Sequence, residues 1–165
     1  MITNKIQEEL NKQINAEFYS SYFYLAMAAY FEAKDLQGFA KWFRMQADEE
    51  HAHAMKIFDY VYRIGGEVIL QKIDGPKTEW DSFLEVFKDT FEHEQKVTNS
   101  INTLVDLAQK EKDHATVNFL QWFVSEQVEE EATAQMNVKK MEMIGDSKSG
   151  LFMLDNELGS RINQK

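Results

Sequence analysis

The stretch QADEEHAH, Gln46 to His53, decides how this chain folds, because it sets Glu50 and His53 one helical turn apart. Around it Phe43, Gln46, Glu50, His53, Ile57, Tyr60 and Ile64 recur at three- and four-residue intervals, so all of them project from one helix face. The ends of that stripe are apolar, whereas its middle holds an amide, a carboxylate and an imidazole. A carboxylate removed from water without a partner is costly, so a positive charge has to compensate it. Glu-x-x-His directed into a helical bundle is one way to hold a pair of metal ions.

Working outward, the same intrusion recurs in every long periodic segment. Leu10, Ile14, Glu17, Ser21, Tyr24 and Ala28 form a stripe interrupted by Glu17. Phe83, Phe87, Thr90, Glu94, Val97, Ile101, Leu104 and Ala108 form another, with Glu94 in its middle. Leu120, Phe123, Gln127, Glu130 and Ala134 carry a polar pair three residues apart. Glu17, Glu49, Glu50 and His53 shifted by a constant 77 residues fall on Glu94, Glu126, Gln127 and Glu130. Four helices thus send ligand-type groups inward in two halves of equal spacing.

A chain of 165 residues is expected to form one domain, residues 1–165, with a substantial core. With 12 Phe, 6 Tyr, 3 Trp and a single Pro, neither a disordered nor an all-β chain is expected. The absence of Cys excludes disulfides, thiolate metal sites and a cysteine nucleophile. The polar start, MITNKIQEELNKQ, lacks a signal-peptide apolar run, and no run of 18 apolar residues occurs. A soluble, cytoplasmic protein with no membrane partner is expected. A net charge of −10 argues against nucleic acid as the main partner and is compatible with attraction of cations.

Asn4 with Gln7 predicts a capped helix over about 4–34, and Asp35 a cap for a second over 38–65 that stops at Gly65-Gly66. Ser82 with Glu85 opens a third over 83–111, and Asp113 starts a fourth over 114–144. A short fifth helix, 148–161, places Leu151, Leu154, Leu158 and Ile162 on one side. Short links make the first and second helices, and the third and fourth, antiparallel hairpins. Residues 66–81 read as an extended connection able to span up to ~50 Å, and a 28-residue helix measures roughly 42 Å. The expected fold is therefore all-α: an antiparallel four-helix bundle with one long crossover between its second and third helices, plus the short fifth helix.

Glu17, Glu50, His53, Glu94 and Glu130 supply hard and borderline donors suited to iron, manganese or zinc. Glu50 is central enough to bridge two ions, with Glu17 and His53 completing one site and Glu94 and Glu130 the other. Two Fe(II) ions would balance four negative charges, and dioxygen could take one electron from each. The competing reading is a metal-free buried polar network, but no Lys or Arg lies on the inward stripes to pair with the carboxylates. Glu49, Glu126 and Glu129 fit either a solvated face or a carboxylate patch leading iron to or from the pair. His51, His93 and His114 read as surface histidines. Tyr24 reads as a core tyrosine or as a redox or hydrogen-bonding neighbour, and Trp122 as core packing.

The segments AEFYSSYFY, ADEEHAHAMKIFDY, HEQKVTNSIN and FLQWFVSEQVEEE resemble those of bacterial non-haem ferritins, a likeness that spans essentially the full length. The resemblance implies a homo-oligomeric cage of 24 subunits that oxidises Fe(II) with dioxygen or hydrogen peroxide and stores ferric mineral. It implies a first iron site at Glu17, Glu50 and His53, and a second at Glu50, Glu94 and Glu130. A third matches Glu49, Glu126, Glu129 and Glu130, and Tyr24 and Gln127 match positions beside the iron pair. Bacterioferritins differ in carrying a second Glu-x-x-His where this chain has Gln127-x-x-Glu130, and a haem-ligating Met where it has His51, so no haem is expected. A rubrerythrin-type Cys₄ module is impossible here, and mini-ferritins place their ligands across a subunit interface. A stand-alone di-iron oxygenase or oxidase with a fixed metal pair remains the alternative, followed by a metal-free helical module.

Overall fold

The computed structural model describes residues 2–162. Its helices are α1 (Asn4–Glu32), α2 (Gln37–Arg63), α3 (Phe83–Lys110), α4 (His114–Ile144) and α5 (Lys148–Gly159), with no strand among the described residues. The starts of α3 and α4 follow the expected chemistry. Ser82 Oγ accepts from the Glu85 amide at 3.1 Å, and Asp113 Oδ1 from the Thr116 amide at 3.0 Å. Glu85 turns its own carboxylate back to the Asp81 amide at 2.7 Å, one residue before the cap.

Two expected caps are replaced. Thr3, not Asn4, caps α1, and Gln7 leaves the helix end to accept from the Glu67 amide at 2.8 Å. Asp35 sits in the left-handed region at φ 60° and caps nothing; Leu36 occupies the N-cap of α2 without a side-chain bond. The missing acceptor comes from α5, where Asp155 Oδ1 takes the Phe39 amide at 2.8 Å. That docking needs two glycines. A Cβ on Gly38 would lie 1.8 Å from the Asp155 carbonyl oxygen, and one on Gly159 would lie 2.8 Å from the Gly38 Cα.

The crossover runs the length of the bundle. Its start is tied to the beginning of α1, where Asn11 donates to the Glu67 carbonyl at 3.0 Å and accepts from the Ile69 amide at 2.9 Å. Its end lies at the far end of α1, where Trp80 packs on Tyr30 at 5.2 Å between ring centroids and donates to Asp89 at 2.8 Å. Extended residues are the only economical way to cover that span.

Apolar packing forms two separate bodies. One is aromatic, built on Phe31, Phe39, Phe43 and Phe87; the other is aliphatic, built on Ile6, Leu10, Ile57, Ile101 and Leu120. Phe31 stacks on Phe43 at 5.5 Å and meets Phe39 edge-on at 5.1 Å, pairs that each contribute about 0.5–1.5 kcal/mol beyond burial. Between the two bodies lies a buried layer of Glu17, Glu50, His53, Glu94, Gln127 and Glu130. Each long helix contributes to it from its middle. Ser21, expected on the core stripe, is only half-buried, and Ser20 takes the inward place.

Candidate metal centre

Glu50 and His53, one turn apart on α2, meet Glu17 of α1 at the centre of this layer. One donor atom from each lies within 4.8 Å of the other two, the spacing a shared metal ion needs. Glu50 Oε2 is 3.3 Å from His53 Nδ1. Both Glu50 oxygens and Glu17 Oε2 are buried without a hydrogen-bond partner. Native proteins seldom leave such atoms unmatched, because each costs its full desolvation penalty. Three orphan carboxylate oxygens beside an imidazole fit a divalent cation, and iron matches the donor set.

Glu94 and Glu130 belong to the same layer but are drawn aside by neutral donors. Tyr24 Oη donates to Glu94 Oε1, and Gln127 Nε2 donates to Glu94 Oε2 at 3.1 Å. Gln46 Nε2 donates to Glu130 Oε2 at 3.0 Å. Burial, then the negative charge of Glu17, holds the Glu50 carboxyl well above its usual range. Burial pushes Glu94 up to about 7 against the opposing bonds from Tyr24 and Gln127. Burial and the Glu94 charge push Glu130 up to about 8, with Gln46 opposing. Burial and the Glu94 charge raise the Tyr24 phenol well above its usual value, so it remains a donor. The carboxylates thus repel one another in a buried layer, and a cation would relieve all of them together.

The structure makes Tyr24 a hydrogen-bonding neighbour of Glu94, fully buried, and not merely a packing residue. Two other expectations are corrected. His93 is not a surface histidine: it is half-buried, 2.8 Å from Ser20 Oγ and 5.0 Å from the Phe23 ring centroid, and burial lowers it to about 4. Trp122 is not core: it is 39% exposed and covers His53 edge-on at 5.2 Å, with Lys56 Nζ 3.8 Å from its ring centroid. His51 and His114 are exposed as expected.

Glu49, Glu126, Glu129 and Glu130 line one recess of about 650 Å³ between α2 and α4. Its edge carries a residue that the sequence reading passed over. Arg161, just beyond α5, donates to Glu49 Oε2 at 2.7 Å and to Gln46 Oε1 at 2.5 Å. Gln13 was also missed. It is buried, donates to Glu17 Oε1 at 2.8 Å and accepts from Ser100 at 2.5 Å. Its four-residue spacing from Glu17 was the available signal; Arg161 offered none, being far from every ligand in sequence.

An all-α bundle with one end-to-end crossover and a carboxylate–histidine centre in its middle layer defines a metal-binding protein of the ferritin-like class. Comparison with known proteins agrees. The family described as Ferritin-like domain matches residues 7–144. A bacterial non-heme ferritin of Bacteroides fragilis is 48% identical over 161 residues, covering 98% of this chain and 100% of the relative. One from Staphylococcus saprophyticus is 42% identical over 98% of this chain and 96% of its own length. The open pore ferritin of the archaeon Archaeoglobus fulgidus superposes with a TM-score of 0.97 at 52% identity, over 98% of this chain and 99% of that one. The chain belongs to the ferritin family, and its function is iron storage with ferroxidase activity. Among the described residues no helix is long and apolar enough to cross a membrane.

Proposed function

We propose that this chain is a single-domain, cytoplasmic ferroxidase subunit whose reaction runs at an iron pair inside each chain and whose product is stored in a homo-oligomeric cage, by resemblance of 24 subunits. The observation that carries the reading is the trio of orphan oxygens on Glu17 and Glu50 facing His53. Iron is both substrate and cargo. Glu17, Glu50 and His53 hold one ion; Glu50, Glu94 and Glu130 hold the other once Glu94 and Glu130 exchange their neutral donors for metal. Two Fe(II) supply two electrons, which reduce dioxygen to hydrogen peroxide, or peroxide to water, with uptake of two protons. The Tyr24 hydroxyl and the Gln127 amide stay beside Glu94 as donors able to orient what binds there. Glu49, Glu126 and Glu129 join Glu130 as a third, weaker position on the way to the mineral. No haem enters this scheme.

Fe(II) added in air to the metal-free assembly is expected to yield particles containing far more than two irons per chain, with an electron-dense core. A ratio that stops at two would support the fixed-cofactor oxidase instead, and a ratio near zero would remove metal chemistry altogether.

Gln127 bears on storage as opposed to permanent binding. It stands where the internal repeat puts Glu50 in the other half, and an amide binds iron much more weakly than a carboxylate. Weak holding on that side lets ferric product leave and fresh Fe(II) enter. Gln127→Glu is expected to slow second and later Fe(II) additions more than the first, by about tenfold, when successive additions are followed by stopped-flow absorbance. Equal rates for all additions in both proteins would reduce Gln127 to a packing residue.

A further inference from the structure

Arg161 lies outside the reaction described above, and its contacts place it at the mouth of the metal layer. The recess between α2 and α4 is lined by Glu49, Glu126, Glu129, Glu130 and Glu157, and Arg161 is the one basic residue lining it among the described residues. One arm of the guanidinium donates to Glu49; the other donates to the side-chain amide oxygen of Gln46. A guanidinium has only donors, so it fixes which way the Gln46 amide faces: oxygen outward, nitrogen inward to Glu130. The side chain is half-buried with its charged end over the Trp42 ring, 5.1 Å from the centroid. The backbone that carries it is held to α2 by Lys41, which donates to the Gly159 carbonyl at 2.9 Å, and by Asp155 on the Phe39 amide.

We propose that Arg161 is a resident counter-ion of this mouth: a positioning residue that iron must displace from Glu49, so that the chain's own C-terminal segment limits how strongly the third position holds metal. The inference rests on the reading of Glu49, Glu126, Glu129 and Glu130 as a transit position, and it adds the reason transit is brief. A fixed positive charge beside Glu49 opposes a divalent ion directly. Through Gln46 it also keeps Glu130 turned to a neutral donor at the boundary between the mouth and the buried pair. An ion that takes Glu49 from the guanidinium frees Gln46, and with it Glu130. Metal leaving the mouth lets Arg161 return, which resets the position for the next ion.

Calorimetric titration of Zn(II), which is redox-inert, into the metal-free assembly tests this without turnover. The parent protein is expected to show tighter binding at the buried positions, a tight class at Glu17, Glu50 and His53 being the strongest, and a weaker class at the mouth that Glu129→Gln abolishes. Arg161→Gln should tighten the weaker class about fivefold and leave the tight class unchanged, because a like charge is removed from a partly solvated site. Arg161→Lys, which keeps the charge, should remain within about twofold of the parent. Arg161→Met removes the same charge with a different side chain of similar reach and should match Arg161→Gln, which guards against a folding defect peculiar to one variant. An unchanged or weakened second class in both charge-removing variants, or a Lys variant that behaves like the Gln variant, overturns the inference while the tight class still stands. Loss of the tight class from the parent itself would overturn the site reading, and this inference with it.

Discussion

Glu50→Gln is expected to lower the initial rate of Fe(II) oxidation by about hundredfold or more, the largest loss of any single substitution in this chain. Among the described residues Glu50 is the one carboxylate with both oxygens buried and unpartnered, and it belongs to the Glu17–Glu50–His53 group. On the assignment proposed above, Glu50 serves both ions of the pair, so an amide here weakens both. The same change should raise the thermal midpoint of the metal-free protein at pH 8, since it replaces a buried, unpartnered carboxyl, costly to fold either as a charge or by taking up a proton, and keeps the volume. Zn(II) at a hundred times its dissociation constant should stabilise the parent by about 2.7 kcal/mol and the variant hardly at all. Oxidation at the parental rate, or equal stabilisation of both proteins by Zn(II), would remove Glu50 from the centre of the site.

The metal-free protein is expected to lose stability between pH 6.5 and pH 8, on the order of a few kcal/mol. Glu94 and Glu130 stand at about 7 and about 8, and Glu50 is also raised, all above the usual 4.5. A carboxyl whose folded value is raised stabilises the fold below its unfolded value, and that contribution is lost as pH climbs through the folded one. The lower bound of the window matters because His93 acts in the opposite sense. Its folded value of about 4 lies below the usual 6.5, so it adds stability as pH rises to 6.5 and nothing further above that. Exposed pairs such as Lys96 with Glu92 are fully ionised throughout and do not confuse the trend. Thermal midpoints at pH 6.5, 7.2 and 8, with and without Zn(II), measure the effect. A cation replaces the missing protons, so the loss should vanish when the metal is present. A metal-free midpoint that stays level or rises across the window would show that the carboxylate layer is already neutralised by something else.

Periodicity alone determined that four long helices each turn a polar side chain inward, and the constant offset between halves determined that these groups are counterparts. Helical side chains have a fixed direction, so Glu17, Glu50, His53, Glu94 and Glu130 could be assigned to the interior without coordinates. The long gap before Phe83 likewise permitted an end-to-end crossover, because its extended reach matches the length of a 28-residue helix. Local capping was less legible. Thr3 and Asn4 are both N-cap residues and the intrinsically weaker one, Thr3, is used, while the stop of α1 depended on how the chain turned at Asp35.

Tertiary structure alone decided which groups meet and which are held apart. Sequence spacing places a side chain on a face but says nothing of its neighbour across the bundle, so Tyr24 on Glu94, Gln46 on Glu130 and Ser100 on Gln13 are contacts that only packing creates. His93 and Trp122 were misplaced for the same reason: one lies off its helix stripe yet is covered by α1, the other lies near the stripe yet remains open to solvent. Arg161 is the clearest case. It follows the last helix, more than a hundred residues from Glu49, and only the docking of α5 on the glycine at the start of α2 brings its charge to the acidic mouth. Coulomb interactions depend on distance in space, and that distance is a property of the packed chain.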